Sequence, residues 1–277
     1  MTTRLPTDAE TARLTASLEW LRARTCPTVL AVSEALQPDF WASEGRTSQH
    51  APPWHGEHAR SEWREARTAI VLPGSFNPLH AAHLLLLEAA AEAMPTPRPS
   101  PPPVAAFSLS VHTIDKAHPS GMTLEDRAWT MNECAASLEG AISAVALVAS
   151  HGLYLDQAAA LHDAMPHLEP GGLWFAIGYD KAVQIFDARY YNDRDTALEA
   201  LFSRAGLLVA PRAGASPDDL TTLTHQPDNR RFADRVRPIA FPTSVANLSS
   251  TSIRSGLADP SDLPAPVNAM ITARRCY

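Results

Sequence analysis

From residue 68 onward, short apolar runs of strand length alternate with stretches in which apolar residues return every three or four positions. TAIVLPG (68–74) leads into Pro78–Met94, VAAFSLSV (104–111) precedes Thr123–Leu138, and AISAVALVA (141–149) precedes Leu155–Met165. LWFAIG (173–178), GLLVAP (206–211) and RPIAF (237–241) follow, each with a helical segment behind it. Strands that are apolar along their whole length and alternate with helices predict βαβ units and a parallel sheet covered on both faces. The expected class is α/β, a doubly wound parallel sheet, with ligands outside the carboxyl ends of its strands.

The first part of the chain follows another pattern. Thr7 and Glu10 are spaced as a capping box, and Leu14, Leu18 and Leu21 recur at helical spacing, which predicts an amphipathic helix over Asp8–Ala23. Gln37–Arg64 is polar, broken by Pro and Gly, and carries His50, His55 and His58 without any sustained period, so it is expected to be a solvated loop. Pro95–Pro103 cannot be helical, because each proline removes an amide donor and fixes its own φ. The division expected is an N-terminal extension over 1–66, one helix plus a polar linker, and a single domain over 67–277.

Composition narrows the function. The 277 residues are 45% hydrophobic, enough for one sizeable core. Lys+Arg 23 against Asp+Glu 30 gives a net charge of -7, so no global positive field exists to hold a polyanion, and nucleic acid is not expected as a partner. Cys26, Cys134 and Cys276 are scattered, forming neither a disulfide framework nor a metal cluster, which fits a reducing compartment. Apolar stretches such as Ile142–Ala149 are far too short to span a bilayer, and the N-terminus lacks the apolar core of a signal peptide. A cytoplasmic protein without membrane contact is expected, or a nuclear one if the source is eukaryotic.

Two strand-to-helix junctions carry candidate chemistry. The first reads Gly74-Ser75-Phe76-Asn77-Pro78-Leu79-His80-Ala81-Ala82-His83. Gly74 permits a tight turn, Pro78 suits a helix start, and the amides that follow suit an anion. His80 and His83, three apart, would share one face of the first helical turn, where imidazoles can donate to phosphate oxygens. The bland alternative is that one caps the turn and the other packs in the core. The junction is neither the dinucleotide-binding GxGxxG nor the P-loop GxxxxGK[ST]. The second junction, Ser249-Ser250-Thr251-Ser252-Ile253-Arg254, is by itself an ordinary N-cap followed by a surface arginine. Paired with the first, its hydroxyls and guanidinium offer a second cradle for a polyphosphate.

GSFNPxHxxH early in an α/β domain and SSTxIR late in it resemble the nucleotidyltransferase superfamily, specifically the nicotinamide/nicotinate mononucleotide adenylyltransferases. Lys116, Arg127 in TLEDRAWTM, GLYLDQ, Ile177-Gly178-Tyr179-Asp180 and Ala210-Pro211-Arg212-Ala213-Gly214 fall in the family's order, and the resemblance covers Thr68–Tyr277. It departs at Ala82, where the family usually has Gly, and in lacking a Trp shortly after Gly178-Tyr179-Asp180, which places it nearer a divergent branch found in fungi and some bacteria.

The resemblance implies a Rossmann-like nucleotidyltransferase fold and transfer of AMP from ATP to the mononucleotide, with Mg²⁺ carried on the ATP phosphates and water. It implies His83 at the α-phosphate, His80 supporting the ATP phosphates, and amides around Gly74, Ser75, Phe76 and Asn77 holding the mononucleotide phosphate. Arg254 would take the β- and γ-phosphates with Ser250 and Thr251, Lys116 would approach the incoming phosphate, and Asp180 would take a ribose hydroxyl beside Gly178 and Arg212. Trp129 and Tyr154 are the candidates for stacking on the base. Two alternatives stay open: nucleotidyl transfer to another phosphorylated acceptor, and a nucleotide-binding interaction protein that has lost transfer. Base preference and homo-oligomerisation are not fixed by these motifs.

Overall fold

The computed structural model describes residues 4–38, 65–94, 102–112, 121–138, 142–212, 214–215, 217–242, 245, 248–257 and 259–277. Strands β1 (Val29–Ala31), β2 (Ala69–Pro73), β3 (Val104–Ser110), β4 (Ala144–Ala149), β5 (Leu173–Gly178), β6 (Ala205–Ala210) and β7 (Val236–Pro238) form one sheet in the order β1-β4-β3-β2-β5-β6-β7. Every pair is parallel except β1 with β4. The chain builds outward from β2 to β3 and β4, then returns past β2 to add β5 and β6. The direction of winding therefore reverses between β2 and β5, where a doubly wound sheet opens a crevice for ligand.

Side chains alternate across this sheet with period two. Ile70, Leu72, Phe107, Val148 and Trp174 face one core, closed by α1 (Asp8–Arg22), α3 (Ala81–Glu92), α4 (Leu124–Ser137) and α10 (Ala265–Arg274). Val71, Ala106, Leu147, Phe175 and Leu207 face the other, under α5 (Tyr154–Ala164), α6 (Tyr179–Phe186) and α7 (Arg194–Arg204). The strands read as continuous apolar runs because helices cover both faces.

The expected helix at the N-terminus is present as α1. Thr7 Oγ1 accepts from the Glu10 amide at 3.3 Å while Glu10 Oε2 accepts from the Thr7 amide at 2.8 Å, and Leu14, Leu18 and Leu21 are buried in the same core as Ile70. The segment contributes more than one helix, however. Val29–Ala31 pairs with Leu147–Ala149 as β1, followed by the short α2 (Val32–Ala35). The last strand also differs from the expected RPIAF: it is Val236–Pro238, with only the Ile239 amide continuing to the Val209 carbonyl at 2.8 Å. Among the described residues, α8 (Pro217–His225) and α9 (Ser250–Arg254) precede α10. Residues 39–64 of the expected loop, residues 95–101 of the proline-rich segment, and Lys116 lie outside the described residues. Among the described residues no helix is long and apolar enough to cross a membrane.

Candidate active site

The turn after β2 is fixed by its own buried residues and by three distant segments. Phe76 takes a left-handed φ of 43°, which drives its ring fully into the core, edge-on to Phe107 at 5.7 Å and His83 at 5.1 Å. A methyl on Gly74 would meet that ring at 2.8 Å, so glycine is required there for close approach as well as for turning. The Asn77–Pro78 bond is cis. Arg127, buried on α4, donates from Nη1 to the Ser75 carbonyl at 3.1 Å. Asn77 Oδ1 accepts from the Met122 amide at 3.2 Å and from Tyr277 Oη at 2.6 Å. Arg254 Nη1 donates to the Asn77 carbonyl at 2.6 Å, and Ser250 Oγ to the Pro78 carbonyl at 2.9 Å. The two sequence motifs therefore form one structure.

His80 sits at the N-cap of α3, a helix start that favours an anion, and its carbonyl accepts from the His83 amide at 2.9 Å. The His80 amide donates to Nδ1 of His83 at 3.2 Å, and the two rings lie 3.8 Å apart, centroid to centroid. Burial pushes the His80 imidazole down to about 4, with Arg212 adding to the effect. Burial also holds His83 well below its usual range, reinforced by His80 and Arg212. Both are neutral at pH 7. Because Nδ1 of His83 accepts, its proton lies on Nε2, leaving an N–H to donate. His80 Nδ1 is buried and finds no hydrogen-bond partner among the described residues.

Asp180 and Arg212 stand at the ends of β5 and β6, with Oδ1 and Nε 3.9 Å apart and both side chains about half exposed. Gly178 leaves room for them: a methyl there would meet Asp180 Oδ1 at 2.7 Å. Next to Gly74 and Ser75 lies a cavity of about 220 Å³, between the ends of β2 and β3 and the helices α5 and α6. Its walls include Tyr154, Tyr190 and Tyr191, and its polar groups include Ser108, Gln157 and Lys181. Ser108 Oγ donates to Gln157 Oε1 at 2.8 Å, which holds the cavity floor in place.

The structure thus gathers Gly74, Ser75, Phe76, Asn77, His80, His83, Ser250, Thr251 and Arg254 around one turn. Gly178, Asp180 and Arg212 stand at neighbouring strand ends, and Tyr154 lines the adjoining cavity. One expectation changes. Trp129 is 1% exposed, with the Arg4 guanidinium 4.5 Å from its ring centroid, so no face is open to a base. Asn77 is 1% exposed, and its two carbonyl oxygens hold the turn from within. Ala82, at the family's usual glycine, is buried in the first turn of α3. Sequence reasoning gave no role to Arg127 and did not find Tyr277, Ser108 or Gln157. Serines within the apolar run of β3 were the signal available for Ser108.

The cytidylyltransferase-like family matches residues 71–256. Two solved structures of Plasmodium falciparum nicotinic acid mononucleotide adenylyltransferase share the fold. The one complexed with APC is 12% identical with a TM-score of 0.50, and the one complexed with NaAD is 13% identical with a TM-score of 0.53. Each alignment covers 76% of this chain and 96% of the other. No curated protein matches the sequence.

Proposed function

Since the chain belongs to the cytidylyltransferase-like family, we propose that it transfers AMP from ATP to nicotinamide or nicotinate mononucleotide, giving the dinucleotide and pyrophosphate. The observation that carries this reading is the union of the two motifs. Arg254 and Ser250, 177 and 172 positions from their acceptors, bind the carbonyls of Asn77 and Pro78 beside the histidine pair. That places a guanidinium and an imidazole N–H donor around one helix N-terminus, an arrangement suited to a polyphosphate.

In this reaction a phosphate oxygen of the mononucleotide attacks the α-phosphorus of ATP, and the bond to the bridging oxygen of the β-phosphate breaks. Little covalent work falls to the protein, so positioning and neutralisation of charge dominate. His83 Nε2–H donates to an α-phosphate oxygen as its charge grows, and His80 supports the same phosphates. Arg254, with Thr251 and Ser250, takes the β- and γ-phosphates that leave. Amides around Ser75 and Phe76 hold the attacking phosphate, to which the sequence resemblance also assigns Lys116. Asp180 accepts from a ribose hydroxyl, with Arg212 beside it. The pyridine ring enters the adjoining cavity against Tyr154. Mg²⁺ accompanies the ATP phosphates as part of the substrate, bound by phosphate oxygens and water. The fold shared with the two Plasmodium falciparum enzymes supports the choice of acceptor.

The test is pyrophosphate release by the purified chain with ATP and Mg²⁺, comparing no acceptor with each mononucleotide, and product mass as the second readout. Acceptor-dependent release with a dinucleotide of the expected mass supports the proposal. Tight ATP binding without product from either acceptor overturns it.

A further inference from the structure

We propose that Tyr277 is a positioning residue for the anion-binding turn, acting through Asn77 from the far end of the chain. Its hydroxyl donates to Asn77 Oδ1 at 2.6 Å, across 200 positions of sequence. The same oxygen accepts from the Met122 amide, so the buried Asn77 side chain ties the turn to two separate segments. Gly121 completes the joint. It adopts a φ of +117°, and a methyl there would stand 2.4 Å from Tyr277 Cε1 and 2.9 Å from Asn77 Oδ1, so the tyrosine ring occupies the space that the glycine leaves.

The chain is bent to make this contact. Arg275 ends α10 in the left-handed region at φ 52°, a conformation disfavoured for a residue with a Cβ. Burial moves the Tyr277 hydroxyl up from its ordinary value, so it remains a phenol and a donor around neutrality. The peptide carbonyls on this stretch are held elsewhere, Ser75 by Arg127 and Asn77 by Arg254, whereas Oδ1 of Asn77 is where Tyr277 acts. Loss of that bond frees one corner of the turn without removing any group that touches phosphate. Sub-ångström misplacement of preorganised donors costs rate more than binding.

Tyr277→Phe in the full-length chain keeps the ring on Gly121 and removes only the donor. Amide hydrogen exchange over residues 74–79 should accelerate about tenfold, the size of one hydrogen bond, with exchange in α1 and α7 little changed and the Tm lowered by about 2–4 °C. The kinetic expectation rests on the transfer reaction proposed above: kcat falls about tenfold and KM for ATP stays within about twofold. Tyr277→Ala should add a further fall in Tm, from loss of the ring on Gly121, to the same kinetic change. Unchanged exchange over 74–79, or acceleration spread uniformly through the molecule, overturns the proposal. If the wild-type chain makes no dinucleotide, the transfer reading fails on its own, and the local exchange comparison still decides the role of Tyr277.

Discussion

The imidazoles of His80 and His83 lie 3.8 Å apart, centroid to centroid and tilted by 31°, with the amide of the first donating to Nδ1 of the second. Burial first, and the Arg212 charge after it, keep both rings neutral, and their neutrality has a cost in acid. Below about pH 6.5 the unfolded chain takes up a proton that folded His80 refuses until about pH 4. The unfolded state therefore binds more protons in that window, and stability falls as pH falls through it. For His80 alone the loss from pH 7 to pH 5 is about 2 kcal/mol. Urea unfolding at the two pH values measures it, and His80→Gln should reduce the difference, leaving the share that His83 contributes.

On the proposed reaction, His83→Ala removes the donor assigned to the α-phosphate while leaving Arg254 in place. Loss of one preorganised donor to a developing anion lowers kcat about 10²- to 10³-fold, with a much smaller change in KM for ATP. Steady-state pyrophosphate release gives both constants. Full turnover in a correctly folded variant would remove His83 from the mechanism.

Gly206→Ala is expected to destabilise the sheet without touching the site. The new methyl would stand 2.4 Å from the Trp174 ring on the adjacent strand. That ring cannot retreat easily: it is 4% exposed, with the guanidinium groups of Arg235 and Arg237 at 4.9 and 4.7 Å from its centroid. Overpacking of this kind costs about 1–3 kcal/mol. Chemical denaturation of the variant measures it.

Buried parallel strands were legible because each reads as an unbroken apolar run closed by Gly, Pro or Ser. β1 was not, since three residues, Val29–Ala31, hold too little pattern to stand out before a polar segment. β7 was displaced because Ile239 and Phe241 are the apolar positions, while Val236–Pro238 makes the pairing at the sheet edge. At the site, the motif residues were found because turn, cap and charge signals coincide there. Trp129 was misplaced because an aromatic on an amphipathic helix looks the same in sequence whether it faces the core or a ligand. The bonds from Arg127 and Tyr277 to the turn join positions 52 and 200 residues apart, and no local pattern encodes such a meeting.

The antiparallel β1 gives the molecule a protective selvedge. A wound sheet that stopped at β4 would show a row of backbone donors and acceptors to any passing strand, an invitation to fibrous growth. Three residues running the other way cover half of that border, Leu147–Ala149. At the opposite border β7 is equally short and ends on Pro238, which has no amide to offer. Both margins are thereby poor templates for strand addition by another chain.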